Sequence, residues 1–388
     1  MKPFNHFQNT RLFFGAGRVE EAGKIIGEYG KNCLLATTSS RNNGPLQSIY
    51  ARVIQILEES NLTVTHFDGV TPNPTTEDVS RGAEMARAAK ADVVVGLGGG
   101  SSMDVAKAIA VEATHEGSSW DYLFYKKQPT EKTLPIVAIS TTSGTGSQVT
   151  QVSVVTNTNK RDKSALYHDF LFPRAAIIDP ELMISVPSTV TAATGFDVFC
   201  HAFESLLHPN RGAYVDLLAR EAVRIVFEYL PKVLKEPLNV EWRSTMAWAD
   251  TMAGLCIANA GVTLPHGMGM AIGGMYPHVA HGQALAIVYP ACINFTWEKA
   301  IEPHAFVSRA LNPKLNEKDD YEAAKMAAGE ISKFLQEINL YQKLKEVNVP
   351  PSELETLARQ CMALPDYENN PRVASYAEMI ELVEASYG

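Results

Sequence analysis

Over the first 185 residues, short runs of β-branched and aliphatic residues alternate with stretches of helical periodicity. The runs CLLATT, LTVTHF, DVVVGLG, PIVAIST and AAIID are separated by segments such as GPLQSIYARVIQILEES and TTEDVSRGAEMARAAK. This alternation limits the fold more than any other feature, because strands joined through helices run parallel and near-continuous apolar strands need cover on both faces. FFGAG and VSVVTN also read as strands and leave room for an antiparallel extension. Beyond Pro187 the β-rich runs fade, and segments such as GAYVDLLAREAVRIVFEYLPKVL repeat apolar residues every three or four positions. The expectation is an α/β domain over residues 1–185, a parallel sheet with flanking helices, followed by an all-helical domain over residues 186–388. No Gly/Ser linker separates the halves, so the two are expected to share a close cleft.

Charge narrows the list of partners. Lysine and arginine number 34 against 43 aspartates and glutamates, a net charge of −9 that argues against nucleic acid or an anionic membrane as partner. The five cysteines form no CxxC pair, which suits a reduced compartment. The opening MKPFNHFQNTRLFF lacks the layout of a signal peptide, and no run approaches the roughly 18 apolar residues of a membrane span. A soluble, cytoplasmic protein is expected.

Two loops carry nucleotide chemistry. In ADVVVGLGGGSSMDVAKAIA a buried strand runs through Gly98, Gly99 and Gly100 into a helix opened by Ser101 or Ser102. Glycines let backbone amides approach a phosphate, and the helix start adds unpaired N–H groups and a favourable dipole. The stretch is neither a Walker loop nor a GxGxxG fingerprint, and taken alone it is also compatible with a tight structural turn. A second loop, STTSGTGSQ, again follows a strand and offers the hydroxyls of Thr141, Thr142 and Thr145 beside Gly144 and Gly146. Two such loops at strand ends together point to a nucleotide.

The run GFDVFCHAFES sets Asp197 and His201 four residues apart, hence on one helical face. Either they hydrogen-bond inside the core or they share a metal. LPHGMGMAIGGMYPHVAHGQALAI tips the balance, because it carries His266, His278 and His281 in a window poor in charge. One carboxylate with imidazoles accepts Fe(II), Zn(II) or a similar divalent ion and leaves a position for substrate. Glu204, three residues after His201, is a candidate partner for an imidazole or a helix-stabilising group. Asp104 reads as an N-terminal dipole partner or an orienting group for cofactor, Cys200 as core, and Trp248 or Phe199 as a candidate wall of a substrate pocket.

FFGAG, the NP at 73–74, GGGSSMDVAKAIA, TTSGTGS, IIDPEL, TGFDVFCHAFE and AHGQALAI, in this order, resemble the iron-containing (group III) alcohol dehydrogenases over nearly the whole chain. That is the family of lactaldehyde:propanediol oxidoreductase and of butanol and propanediol dehydrogenases. The resemblance implies a dinucleotide-binding α/β domain, a helical domain and a metal in the cleft between them. Position by position it implies metal ligands at Asp197, His201, His266 and His281. Cofactor contacts are implied at Asn73, Gly98, Gly99, Gly100, Ser101, Thr141, Thr142, Thr145 and Lys163. It further implies NAD or NADP as cofactor, Fe(II) with Zn(II) as the alternative, a small primary alcohol or its aldehyde as substrate, and a homo-oligomer, dimer or larger.

The sequence departs from the family at four places. Met270 stands where a second histidine usually follows the third ligand, so no side-chain base is assigned and the metal is expected to act as Lewis acid. YPHVAHG replaces PHG, which makes His278 a rival to His281. ATTSSRNNG, with Thr37, Thr38, Ser39 and Ser40, lacks the acid that many NAD-dependent members carry, and Arg41 follows; Thr38 is therefore added to the cofactor positions and NADP(H) stands beside NAD(H). Gln148 replaces a common glutamate. Rival activities on the same scaffold are a glycerol-like polyol dehydrogenase and a lyase resembling dehydroquinate synthase, although the ligand-bearing segments lack the basic residues a phosphorylated sugar acid would need. A catalytically silent nucleotide-binding protein is the rival outside the enzymes.

Overall fold

The computed structural model describes residues 3–39 and 44–388. Ser40 and Arg41, part of the reading for a 2′-phosphate, lie outside the described residues. The chain divides into two compact units, one of Phe7–Val186 with Pro237–Ala258, the other of Pro187–Glu236 and Asn259–Gly388 with the N-terminal residues up to His6.

In the α/β unit, β1 (Arg11–Phe14), α1 (Ala22–Gly27), β2 (Asn32–Thr38), α2 (Pro45–Glu59), β3 (Thr63–Val70), α3 (Thr76–Ala88), β4 (Val93–Gly98), α4 (Gly100–Glu112), β5 (Ile136–Ser140), β6 (Val152–Asn157), β7 (Asp162–Tyr167) and β8 (Ala175–Ile178) follow in order. Six strands form an all-parallel sheet in the order β1-β8-β5-β4-β2-β3. The aliphatic runs explain the burial: Val93, Val95 and Leu97 pack with residues of α1 and α2, while Val94 packs on the opposite face with residues of α3 and α4. FFGAG supplies the last two residues of the parallel edge strand β1, and VSVVTN forms β6, which pairs antiparallel with β7 in a separate two-stranded sheet. The strand order reverses between β2 and β4, the place where open α/β sheets leave a crevice at the carboxyl ends of their strands.

After β8 the chain continues into α5 (Ser188–Leu207) and α6 (Ala213–Lys235), returns to the first unit with α7 (Val240–Asn259), and leaves it for α8 (Leu264–Met275) and α9 (His281–Thr296). The remaining helices are α10 (Ile301–Leu311), α11 (Asp320–Lys325), α12 (Ala327–Glu337), α13 (Leu354–Cys361) and α14 (Tyr376–Tyr387). The helical pattern of α7 groups it with its neighbours in sequence, yet its contacts are with the sheet unit. The Arg243 guanidinium, buried, donates to the carbonyls of Pro237 and Val186 at 3.0 and 3.2 Å. Ala247 joins a core patch of Ala176, Ile178, Met183 and Val186. Trp248 is 40 % exposed and meets Phe14 edge-on, with ring centroids 5.8 Å apart.

The helical unit is built on α5, which is apolar on one side and polar on the other. Phe196 and Phe199 pack with Tyr289 of α9 and with each other, and Phe199 also stacks on Phe203 and meets Phe227 at 4.9 Å. Phe199 is fully buried in this cluster, which corrects its reading as a wall of a substrate pocket. A second core joins α8, α9, α13 and α14 through Met268, Ile272, Ile287, Leu357 and Met379. Among the described residues, no single helix is long and apolar enough to cross a membrane.

Candidate metal centre and nucleotide loops

The other side of α5 carries Asp197, His201 and Glu204, at spacings of four and three that keep them in line. All three are buried. His201 Nε2 lies 3.7 Å from Asp197 Oδ1. His266, in the first turn of α8 just after Pro265, brings its Nε2 to 3.6 Å from the same oxygen. His281, the first residue of α9, brings its Nε2 to 3.9 Å. Gly282 lets α9 begin so close to α5: a Cβ there would sit 2.1 Å from the Ala193 carbonyl oxygen. His278 is exposed and its Nε2 lies 2.9 Å from the Val347 carbonyl, so its ring is committed to another part of the unit.

Carboxylates and imidazoles act strongly on one another here. Burial works to raise the Asp197 carboxyl, yet the imidazoles of His201, His281 and His266 hold it down at about 2. Burial works against a charged His266, but the carboxylates of Glu204 and Asp197 push it up to about 10. Asp197 Oδ1 and His266 Nε2 are buried without a hydrogen-bond partner, an arrangement that is costly unless something else satisfies them. Donors roughly 2.0–2.2 Å from a tetrahedral ion stand about 3.3–3.6 Å apart. The observed 3.6–3.9 Å from Asp197 Oδ1 is within a few tenths of that spacing; Asp197, His201 and His266 form a group that fits a divalent ion, and His281 Nε2 stands 3.9 Å from the same carboxylate oxygen. Glu204 Oε1 accepts from His266 Nδ1 at 2.7 Å, which directs Nε2 toward Asp197. Its Oε2 accepts from the Thr263 amide at 2.8 Å, at the start of α8.

Around this cluster, Met270 is buried one turn after His266. Asp366, against Gly267, was not foreseen: burial pushes its carboxyl up to about 6, with His266 acting in the opposite direction. DYENNPR offers no spacing that would reveal it. Cys200 is buried, and burial pushes its thiol up well above the usual range.

In the α/β unit, Gly98 has φ +148° and Gly99 precedes α4 with no side-chain cap, so the first amides of that helix remain available. Gly96 lets α4 lie directly on β4, since a Cβ there would meet Met103 Cα at 2.8 Å. The second loop abuts the first: the Thr141 amide donates to the Gly98 carbonyl at 2.9 Å. A Cβ on Gly99 would be 3.0 Å from Thr142 Oγ1, and one on Gly100 2.6 Å from Thr145 Cγ2. Ser101 lies in the first turn of α4 and is half-buried. Thr38, two residues past the last paired register Ala36–Gly96, places its hydroxyl 2.7 Å from that of Tyr50. Asn73, with φ +54°, accepts from Lys163 Nζ at 2.8 Å, so these two come together beside β7. Asp104 is turned inward: its carboxylate accepts from Ser147 Oγ at 2.7 Å and from the Val154 amide at 3.2 Å, and burial raises it. Lys107, also buried, donates to Ser147 Oγ at 2.8 Å and to the Val152 carbonyl at 2.7 Å, and burial pushes its ammonium down to about 8. The pair fastens the second loop to α4.

A family model described as iron-containing alcohol dehydrogenase matches residues 9–180, and one for the C-terminal part of the Fe-containing alcohol dehydrogenase family matches residues 191–387. The chain belongs to the iron-containing alcohol dehydrogenases. It is an oxidoreductase that interconverts an alcohol and its aldehyde. The dehydrogenase is 32 % identical to NADH-dependent butanol dehydrogenase A of Clostridium acetobutylicum, with 93 % of each chain covered. It is 30 % identical to 1,3-propanediol dehydrogenase of Citrobacter freundii, with 99 % of each covered. The crystal structure of an archaeal halo-thermophilic alcohol dehydrogenase from a Red Sea brine pool superposes with a TM-score of 0.94 at 33 % identity, covering 100 % of both chains.

Proposed function

We propose that this dehydrogenase acts on a small primary alcohol and its aldehyde, with a divalent cation held by Asp197, His201, His266 and His281 and a nicotinamide dinucleotide held by the loops after β4 and β5. The observation that carries the reading is the convergence of three imidazole nitrogens on one carboxylate oxygen, Asp197 Oδ1. Relatives named for butanol and 1,3-propanediol support a short substrate. Fe(II) is the resident ion we favour, and the same donor set also accepts Zn(II). When bound, the cation supplies Lewis-acid polarisation of the substrate oxygen and the nicotinamide supplies the hydride acceptor. Glu204 fixes the His266 ring through the hydrogen bond to its Nδ1. Met270, a thioether, carries no proton, so no side-chain base is assigned. Gly98, Gly99, Gly100 and Ser101 offer amides to the pyrophosphate, Thr141, Thr142 and Thr145 offer hydroxyls, and Asn73 with Lys163 contacts the remainder of the dinucleotide.

NAD(H) is the first choice of cofactor, in keeping with the NADH-dependent relative. NADP(H) is a second reading that rests on Thr37, Thr38 and Ser39, which set no carboxylate against a 2′-phosphate. The working division is a nucleotide domain of residues 1–185 and a metal and substrate domain of residues 186–388, with α7 serving the former. A cytoplasmic location is proposed on the buried free cysteines, and a homo-oligomer on the family resemblance. Oxidation of NADH and of NADPH with a panel of short aldehydes, on protein loaded anaerobically with Fe(II) or Zn(II), tests the activity. Metal analysis of His266→Ala tests the ligands independently: retention of a full equivalent of metal would refute them.

A further inference from the structure

Asp250, at the middle of α7, is 1 % exposed and spends its carboxylate on the second loop. Its Oδ1 accepts from the amides of Gly144 and Gly146 at 2.8 and 2.9 Å. Its Oδ2 accepts from Gln148 Nε2 at 2.7 Å, and Gln148 is fully buried. Loop and helix touch backbone to backbone: Gly146 has φ +61°, and a Cβ on it would lie 2.4 Å from Gly254 Cα. The amides of Gly144 and Gly146 are therefore already taken from below, and the loop is held with Thr142 and Thr145 facing the glycine turn at Gly99 and Gly100.

We propose that Asp250 is a positioning residue for the nucleotide loop and that Gln148 is the neutral donor matched to it, so that this pair sets the affinity for nicotinamide dinucleotide. The inference rests on the reading of the two loops as the nucleotide site. The chemistry of the pair explains why an amide occupies position 148. A glutamate there would put a second buried carboxylate against Asp250 where a donor now sits, and like charges at that distance in a dry interior cannot both remain ionised. Exchanging the two groups restores the match: an asparagine at 250 offers Oδ1 to the glycine amides and Nδ2 to a glutamate at 148.

The test is a pair exchange in full-length protein, comparing wild type, Gln148→Glu and the double variant Gln148→Glu/Asp250→Asn. NADH dissociation constants are read by fluorescence, kcat and KM for NADH by turnover, and anaerobically bound iron by metal analysis. Gln148→Glu is expected to raise the NADH dissociation constant and KM at least about ten-fold, with bound iron unchanged, and the double variant to return within about three-fold of wild type. If Gln148→Glu is too unstable to isolate, recovery of folded, NADH-binding protein in the double variant reports the same coupling. NADH affinity unaltered in Gln148→Glu, or a double variant no better than the single, would overturn the proposal. A wild-type protein that retains iron but binds neither NADH nor NADPH would overturn the nucleotide reading, and this inference with it.

Discussion

Glu204 Oε1 stands 2.7 Å from His266 Nδ1, and its second oxygen accepts from the Thr263 amide at 2.8 Å, so one buried carboxylate fixes both the ring of a candidate ligand and the start of its helix. Glu204→Ala is expected to lower iron affinity by roughly 10- to 100-fold, the usual effect of removing a carboxylate behind a ligating histidine. Competition with a chelator measures it. Unaltered iron affinity would show that α8 alone orients His266.

His281 and His278 are separated by their surroundings. His281→Ala is expected to lose most of the bound metal, and His278→Ala, whose ring faces the Val347 carbonyl, to keep a full equivalent. Metal content after anaerobic loading and desalting decides between them. The reverse result would make His278 the ligand.

Gly282→Ala forces a methyl carbon to within 2.1 Å of the Ala193 carbonyl oxygen unless α9 retreats from α5. Overpacking of this kind costs about 1–3 kcal/mol. The expected outcome is a lower melting temperature together with weaker iron binding, since His281 moves with the helix. A variant as stable as wild type that keeps its iron would contradict the close approach.

His304 is fully buried, its Nδ1 2.7 Å from the Ala300 carbonyl and its ring edge-on to Phe203, and burial pulls it down to about 4. An unfolded histidine takes up its proton near pH ~6.5. Stability from this group is thus complete above that pH and is lost as the pH falls toward 4, because only the unfolded chain gains the proton. The full loss is about 3 kcal/mol. In urea melts at pH 7 and pH 5, His304→Phe should close part of its gap to wild type at the lower pH. A gap independent of pH would refute the assignment.

What could be read from the sequence follows from the physics behind each signal. The aliphatic runs of β2, β4, β5 and β8 were legible because a strand buried on both faces has no polar positions to blur it. β7 was not, since DKSALY carries Asp162, Lys163 and Ser164, and its partner β6 supplies the pairing that its composition does not announce. Asp197 and His201 stood out through a helical spacing in an apolar run. Asp250 did not, because AWADTMAG contains one acid and its partners, Gly144, Gly146 and Gln148, lie about a hundred residues upstream. Periodicity identified α7 as a helix but could not say which unit it joins, as the same stripe of apolar residues serves any neighbour. Phe199 reads, with Trp248, only as a candidate wall because no local mark distinguishes an aromatic cluster from a substrate wall.

The path of the chain through α7 has a consequence during synthesis. When the ribosome has delivered the first 186 residues, every strand of the sheet is present, but the carboxylate that secures the Gly144 and Gly146 amides is still some sixty residues from being made. The tether from α7 therefore forms only after α5 and α6 have been made, and a nascent or truncated polypeptide ending near Val186 holds its threonine loop through Ser147 to Asp104 and Lys107 without the Asp250 carboxylate.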